Sequence, residues 1–318
     1  MDEISIGKSR YLLGGDVSLS MLSYMSCMYF HKDRFETISG ETADDLYKTV
    51  LDGKWTMDKL AEYCRSSYSD LNGNSEADDD DAYGMGAVTA STVDHMTFDS
   101  GVQFTKRDKD GIPSMDVVNE RSVDFVKKLY SLFYENEGVC MYPAEQSYLR
   151  VTIPNKLMNG EMTFMCGYFY SASLLRDMKA DYGIIPYPKF DENTDGYRAL
   201  VHDSAALVGV PVSCDKVSAV CAALEAIAAE NYRTVTPAYY ETALKTKYIR
   251  DDMSGEIVDM IHESGTTDLA FAFNKSLSQV GFIIRNLMSD KSSDLASRYA
   301  AMKPTVEKSL NELIEKVK

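Results

Sequence analysis

Two kinds of order alternate along this chain: continuous apolar runs of strand length, and longer stretches with a helical period. Residues 11–30 read as a buried strand that ends in the polar loop FHKDRFE. The runs YGMGAV at 83–88, MTFMCGYFY at 162–170, YGIIPYPKF from Tyr182 and AALVGVPV at 205–212 predict further buried strands. Between them lie helical patterns. WTMDKLAEYCRSSY takes Thr56 as its cap and sets Met57, Leu60, Ala61 and Cys64 on one face. NERSVDFVKKLYSLFYENEG opens on Asn119, carries a stripe of Val123, Val126, Leu129, Tyr130 and Phe133, and closes at Gly138. Helices are expected at 215–232, 237–248, 254–263, 275–289 and 294–317, with Pro304 kinking or breaking the last. Strands buried on both faces and separated by helices predict an α/β fold with a largely parallel sheet.

At 318 residues the chain divides into two domains or forms one large one. Its net charge of −16 argues against nucleic acid, whose phosphates need clustered Lys and Arg, and against an anionic membrane surface. No run is long enough to span a membrane. MDEISIGKSR lacks the apolar core of a secretory signal. The six cysteines show neither a CxxC pair nor a Cys/His ligand spacing, so they are expected as small buried apolar residues. HExxH, GxSxG and P-loop signatures are absent, and no cofactor is required.

The blocks YLLGGDVSLSMLSYMSCMYFHKDRFE, DGKWTMDKLAEY, NGEMTFMCGYFYSASLL, YGIIPYPKFDENTDGY and AAENYRTVTPAYYETALKTKYIRDD occur in that order. Together they resemble the family 1 extracellular solute-binding proteins of carbohydrate ABC importers, the maltose-binding-protein-like group. The resemblance implies a periplasmic-binding-protein type II architecture. Residues 22–204 with 250–318 would form a complete C-terminal lobe; residues 1–21 with 205–249 would form an incomplete N-terminal lobe and the hinge crossovers. Such an N-terminal lobe would leave Val220, Leu224 and Ile227 poorly covered, and the chain marginally stable or prone to associate.

The resemblance further implies a binder of an extracellular carbohydrate, an oligosaccharide, that takes its ligand in an interlobe cleft and hands it to the permease subunits of an ABC importer. In the full-length protein it would be lipid-anchored at the cell surface. Tyr168 and Tyr170 stand where the family carries aromatics that stack on sugar rings. Asp94 and His95 follow the strand YGMGAV, at the strand end where parallel sheets bind ligands, with a helix-cap role open for Asp94. Asp16 and Asp203 lie at the two expected crossovers, as ligand contacts or hinge braces, and Phe273 and Asn274 lie where the family's last cleft aromatic is found. Tyr239 and Tyr240 read as structural.

The acidic loop presents Asp70, Asn72, Asn74, Glu76, Asp78 and Asp81 at positions 1, 3, 5, 7, 9 and 12 of a twelve-residue calcium loop. Ser75 replaces the turn glycine and Asp81 the longer closing Glu, so a structural Ca2+ site and a solvated acidic loop are both open. The alternative to a sugar receptor is a truncated or decayed binding protein without sugar affinity, serving as an interaction module.

Overall fold

The apolar runs assemble into one five-stranded sheet. Its strands are β1 (Ser26–His31), β2 (Tyr83–Val88), β3 (Val139–Tyr142), β4 (Met162–Tyr168) and β5 (Tyr182–Ile185), in the order β3-β2-β4-β1-β5. β2 pairs parallel with β3 and β4, whereas β1 runs antiparallel to β4 and β5. The expected parallel sheet is therefore mixed, with β1 as its reversed strand. This computed structural model describes residues 2–8, 10–240 and 252–317.

Reversal of β1 has a consequence for position. Its first residues lie at the same sheet edge as the carboxyl ends of β2, β4 and β5, and Ser26 stands opposite Tyr168. Every residue of β1, β2 and β4 is buried, as their continuous apolar runs demand. Phe30, Phe35, Tyr63 and Phe164 meet at ring-centroid distances of 5.0 to 6.5 Å, and Trp55 donates its indole N–H to the Pro186 carbonyl at 2.9 Å.

Helix Met57–Ser66 packs against this sheet at unusually short range. A Cβ on Gly84 would lie 2.4 Å from Cys64 Cα, and one on Gly138 would lie 1.7 Å from the Cys64 carbonyl oxygen. Only glycine admits that approach. Thr56 and Asn119 cap their helices as expected. In helix Glu120–Tyr134 the buried stripe is Phe125, Val126, Leu129, Leu132 and Phe133, while Val123 and Tyr130 sit at its half-buried margin.

Several expectations are corrected. Within 11–30 the strand is confined to β1, preceded by a short helix, Ser20–Ser23. FHKDRFE is not a loop: Lys32–Ser39 is helical, and the Arg34 guanidinium bonds Thr163 Oγ1 and the Gly160 and Ser67 carbonyls at 2.7 to 3.1 Å. β3 was not expected, because VCMY is short and carries no alternation. Residues 205–212 form no strand, only a bridge between Leu13 and Val208, for want of neighbouring strands to pair with. The expected helix 275–289 is regular only over Ile283–Ser289. Helix Leu295–Val317 runs through Pro304 without a break, anchored by buried Tyr299, Val306, Leu310 and Ile314 on both sides of it. The expected helix at 237–248 lies beyond Tyr240 outside the described residues. All six cysteines are free; Cys221, contrary to expectation, is exposed.

Candidate functional site

β2 and β4 run in parallel, so the segments that follow them leave the sheet at one edge. After β2 comes helix Ser91–Asp99, buried at all nine positions. After β4 comes a 3-10 turn, Phe169–Leu175. The reversed β1 brings Tyr24 to the same edge, and His202 follows the short strand Ala199–Leu200 there.

Aromatic rings converge on this edge. Tyr168 and Tyr170 stack with centroids 5.3 Å apart and planes 12° from parallel. Tyr24 meets both edge-on, at 5.9 and 5.3 Å, and lies over His202 at 6.0 Å. His95 and His202 each present a ring at right angles to Tyr168, at 4.8 and 5.2 Å. Tyr168 is buried; Tyr170 and Tyr24 are half-buried and reach solvent. The Arg150 guanidinium lies 5.7 Å from the Tyr170 ring.

Polar groups surround the rings. Asp94, 2 % exposed, is paired with Arg285, whose Nε donates to Oδ1 at 3.1 Å and whose second nitrogen reaches Oδ2. Burial pushes the Asp94 carboxyl up to about 6, against the opposing pull of Arg285. Burial lowers His95 well below the usual histidine range, so its ring is neutral near pH 7. Its Nδ1 lies 3.3 Å from the Tyr187 hydroxyl, and its buried Nε2 meets no partner among the described residues. His202 Nδ1 lies 3.0 Å from Asp203 and 3.1 Å from the Ser204 amide, so it donates to the one or accepts from the other. A hydrogen bond from His202 holds Asp203 below the usual carboxylate range. The edge thus offers flat ring faces with hydroxyl, carboxylate, imidazole and guanidinium groups beside them.

Of the residues singled out in the sequence, Tyr168, Tyr170, Asp94, His95 and Asp203 come together here. Asp94 is no exposed ligand arm, since Arg285 occupies both its oxygens. Asp16 is not among the rings but lines the adjoining cavity with His202 and Asp203: its carboxylate accepts from Thr236 Oγ1 at 2.7 Å and its carbonyl from Asn231 at 2.8 Å, bracing the crossover against helix Val217–Arg233. Phe273 lines a separate cavity of about 200 Å³ with Leu12, Leu313 and Val317, and Asn274 is buried behind it with Oδ1 unpartnered among the described residues. Tyr240 is structural, donating to Asp259 at 2.6 Å. Sequence reasoning missed Tyr24, Tyr187, His202 as a ring partner, and Arg285, which meets Asp94 across 191 positions of chain.

The acidic loop satisfies itself. Asp70 accepts the Gly73 and Ser75 amides at 2.6 and 2.9 Å, and Asp78 accepts the side-chain amides of Asn72 and Asn74 at 2.7 to 3.2 Å. Asp81, which would close a calcium loop, is fully buried and accepts from Leu71 N, Asp78 N and the Tyr68 hydroxyl. Among the described residues no three His, Cys, Asp or Glu side chains converge as a cation site.

No protein-family model matches the sequence, and no curated protein matches it. Solved structures do match by shape. An ABC transporter solute-binding protein from Thermotoga lettingae, bound with alpha-D-tagatose, aligns with a TM-score of 0.59 at 13% identity, over 96% of this chain and 74% of its own. The galacto-N-biose/lacto-N-biose I-binding protein of Bifidobacterium longum, in complex with lacto-N-biose, aligns with a TM-score of 0.58 at 11% identity, over 99% and 72%. The maltose/maltodextrin-binding domain of Bdellovibrio bacteriovorus, bound to maltotriose, aligns with a TM-score of 0.55 at 11% identity, over 98% and 75%. At these identities the likeness fixes the fold: periplasmic-binding-protein type II.

Proposed function

We propose that this chain, which has the fold of ABC-transporter solute-binding proteins, binds a carbohydrate at the tyrosine edge of its sheet and catalyses nothing. The observation that carries this reading is the convergence of Tyr24, Tyr168 and Tyr170 with His202 and Asp203. A pyranose presents an apolar C–H face and a ring of hydroxyls, so it needs a flat aromatic surface bordered by donors and acceptors. Half-buried Tyr170 and Tyr24 supply the surface. Asp203 accepts from hydroxyls, and His95 Nε2 is a buried group that a hydroxyl satisfies. The structurally similar proteins are bound with tagatose, lacto-N-biose and maltotriose, which supports a carbohydrate as the ligand.

In this reading the sugar stabilises a closed arrangement around the crossovers, and the closed form is handed to an importer's permease. In the same reading the protein works outside the membrane, held at the cell surface by a lipid anchor. No helix among the described residues is long and apolar enough to cross a membrane. A second reading, an interaction module without sugar affinity, is favoured by one feature: helix Val217–Arg233 buries no residue.

Thermal melts in a panel of mono- and oligosaccharides test the proposal. A ligand at a hundred times its Kd stabilises by about 2.7 kcal/mol, enough for an unmistakable rise in melting temperature. A rise with at least one sugar is expected. No rise with any sugar, while the chain melts cooperatively, would overturn sugar binding in favour of the module.

A further inference from the structure

Charge is distributed unevenly along the tyrosine edge. Arg285 is committed to Asp94, which takes it with both oxygens, and Asp203 is held ionised by His202. Arg150 is placed differently. It stands in a single π-helical turn, Tyr148–Thr152, in the segment after β3. Because β3 runs parallel to β2, and β2 to β4, that segment leaves the sheet at the same edge as Tyr168 and Tyr170. The Arg150 guanidinium lies 5.7 Å from the Tyr170 ring, and its Nε donates to Gln146 Oε1 at 3.1 Å. No carboxylate pairs with it among the described residues. Its two terminal nitrogens are left as an exposed, planar fork of N–H donors beside the ring.

A guanidinium in that position changes what the edge selects. A pyranose resting on Tyr170 brings its ring substituents within reach of the fork. Neutral hydroxyls gain little there over their bonds to water. A carboxylate or phosphate ester offers two oxygens at the spacing of the fork, and such charge-assisted bonds are roughly twice as strong as neutral ones. A chain of net charge −16 repels anions in general, so an unpaired cation at the ring is what gives one a place to settle. Resting on the carbohydrate reading of this edge, we propose that its ligand is an acidic sugar, bearing a carboxylate or a phosphate ester, and that Arg150 selects it. Gln146 positions the guanidinium by taking its Nε, and the hydroxyls of the same sugar fall to Asp203 and His95.

Calorimetric titration of the full chain with glucose, glucuronate and glucose 6-phosphate tests the assignment, because the three share a ring and differ in charge; maltotriose serves as a second neutral probe. One-to-one binding of glucuronate or glucose 6-phosphate is expected, at least tenfold tighter than glucose, and the tighter of the two identifies the acid group. Arg150→Gln, at an exposed position, should weaken that anion at least tenfold and alter the neutral sugars less than twofold. Arg150→Lys, which keeps the charge and loses the fork, should restore only part of the difference. A neutral sugar bound as tightly as both anions, or an anion whose affinity survives Arg150→Gln, overturns the proposal and leaves the carbohydrate reading standing. Binding of no probe, neutral or anionic, by the folded chain overturns both.

Discussion

Helices Glu120–Tyr134 and Val217–Arg233 are similar in length and both carry apolar residues, yet one buries Phe125, Val126, Leu129, Leu132 and Phe133 and the other buries nothing. Val220 and Leu224 are half-buried, and Ile227 is 49% exposed. The difference is not one of helix-forming tendency. The first helix has the sheet to lie against, while the second touches the rest of the chain through bonds such as Asn231 to the Asp16 carbonyl. Helical stability in proteins comes chiefly from packing of an apolar face, so the two regions should respond to mutation on different scales.

The largest contrast is a paired truncation. Phe125→Ala should cost about 3–5 kcal/mol in urea unfolding, as for any fully buried aromatic. Ile227→Ala should cost less than about 0.5 kcal/mol. Equal costs would mean that Ile227 is covered in solution. Gly138→Ala sharpens the packed side: its Cβ would displace the Cys64 backbone, and a loss of about 3 kcal/mol is expected from overpacking. A neutral outcome would show that the helix and sheet stand further apart.

A smaller effect lies in pH. Asp94 holds its proton more tightly in the folded chain, with a value raised from 3.8 to about 6. Its contribution is therefore fully present below about pH 4 and is lost as the pH rises through about 6. Relative to Asp94→Asn, the wild type should lose about 1–3 kcal/mol of stability between those limits. A difference that does not vary with pH would contradict the desolvated carboxyl. A small effect is also expected at the acidic loop, where Asp70→Ala should cost less than about 1 kcal/mol because the bonds it removes are solvent-exposed. Added calcium should not alter that figure; a calcium-dependent rise in the wild-type melt would mean that Asp81 turns outward to close a site.

Much of this architecture is legible in the sequence because buried strands and capped helices are local signals. YGMGAV and MTFMCG are apolar without interruption since both faces of β2 and β4 are covered, and Thr56 and Asn119 announce their helices three residues ahead of their bonds. AALVGVPV has the same local signature as those strands. It forms only a bridge to Leu13, because pairing depends on a neighbour that the segment's own residues do not specify. Pro304 likewise misleads, since burial of Tyr299 and Val306 on either side outweighs the local cost of the ring. At the site, Asp94 was singled out from its place after a strand end and Tyr168 from the family resemblance. Arg285 was not, because a surface-like arginine near the end of the chain gives no sign of a carboxylate 191 residues away.

The central claim is that the tyrosine edge binds a carbohydrate, and calorimetric titration of wild type and Tyr170→Ala with maltotriose and lacto-N-biose tests it most directly. Tyr170 is half-buried, so its loss should spare the fold, which circular dichroism would verify. Saturable binding of at least one sugar is expected, weakened tenfold or more by Tyr170→Ala, consistent with a stacking contact of about 1.4 kcal/mol. Absence of binding by the folded wild type, or identical affinity in the variant, would contradict the account.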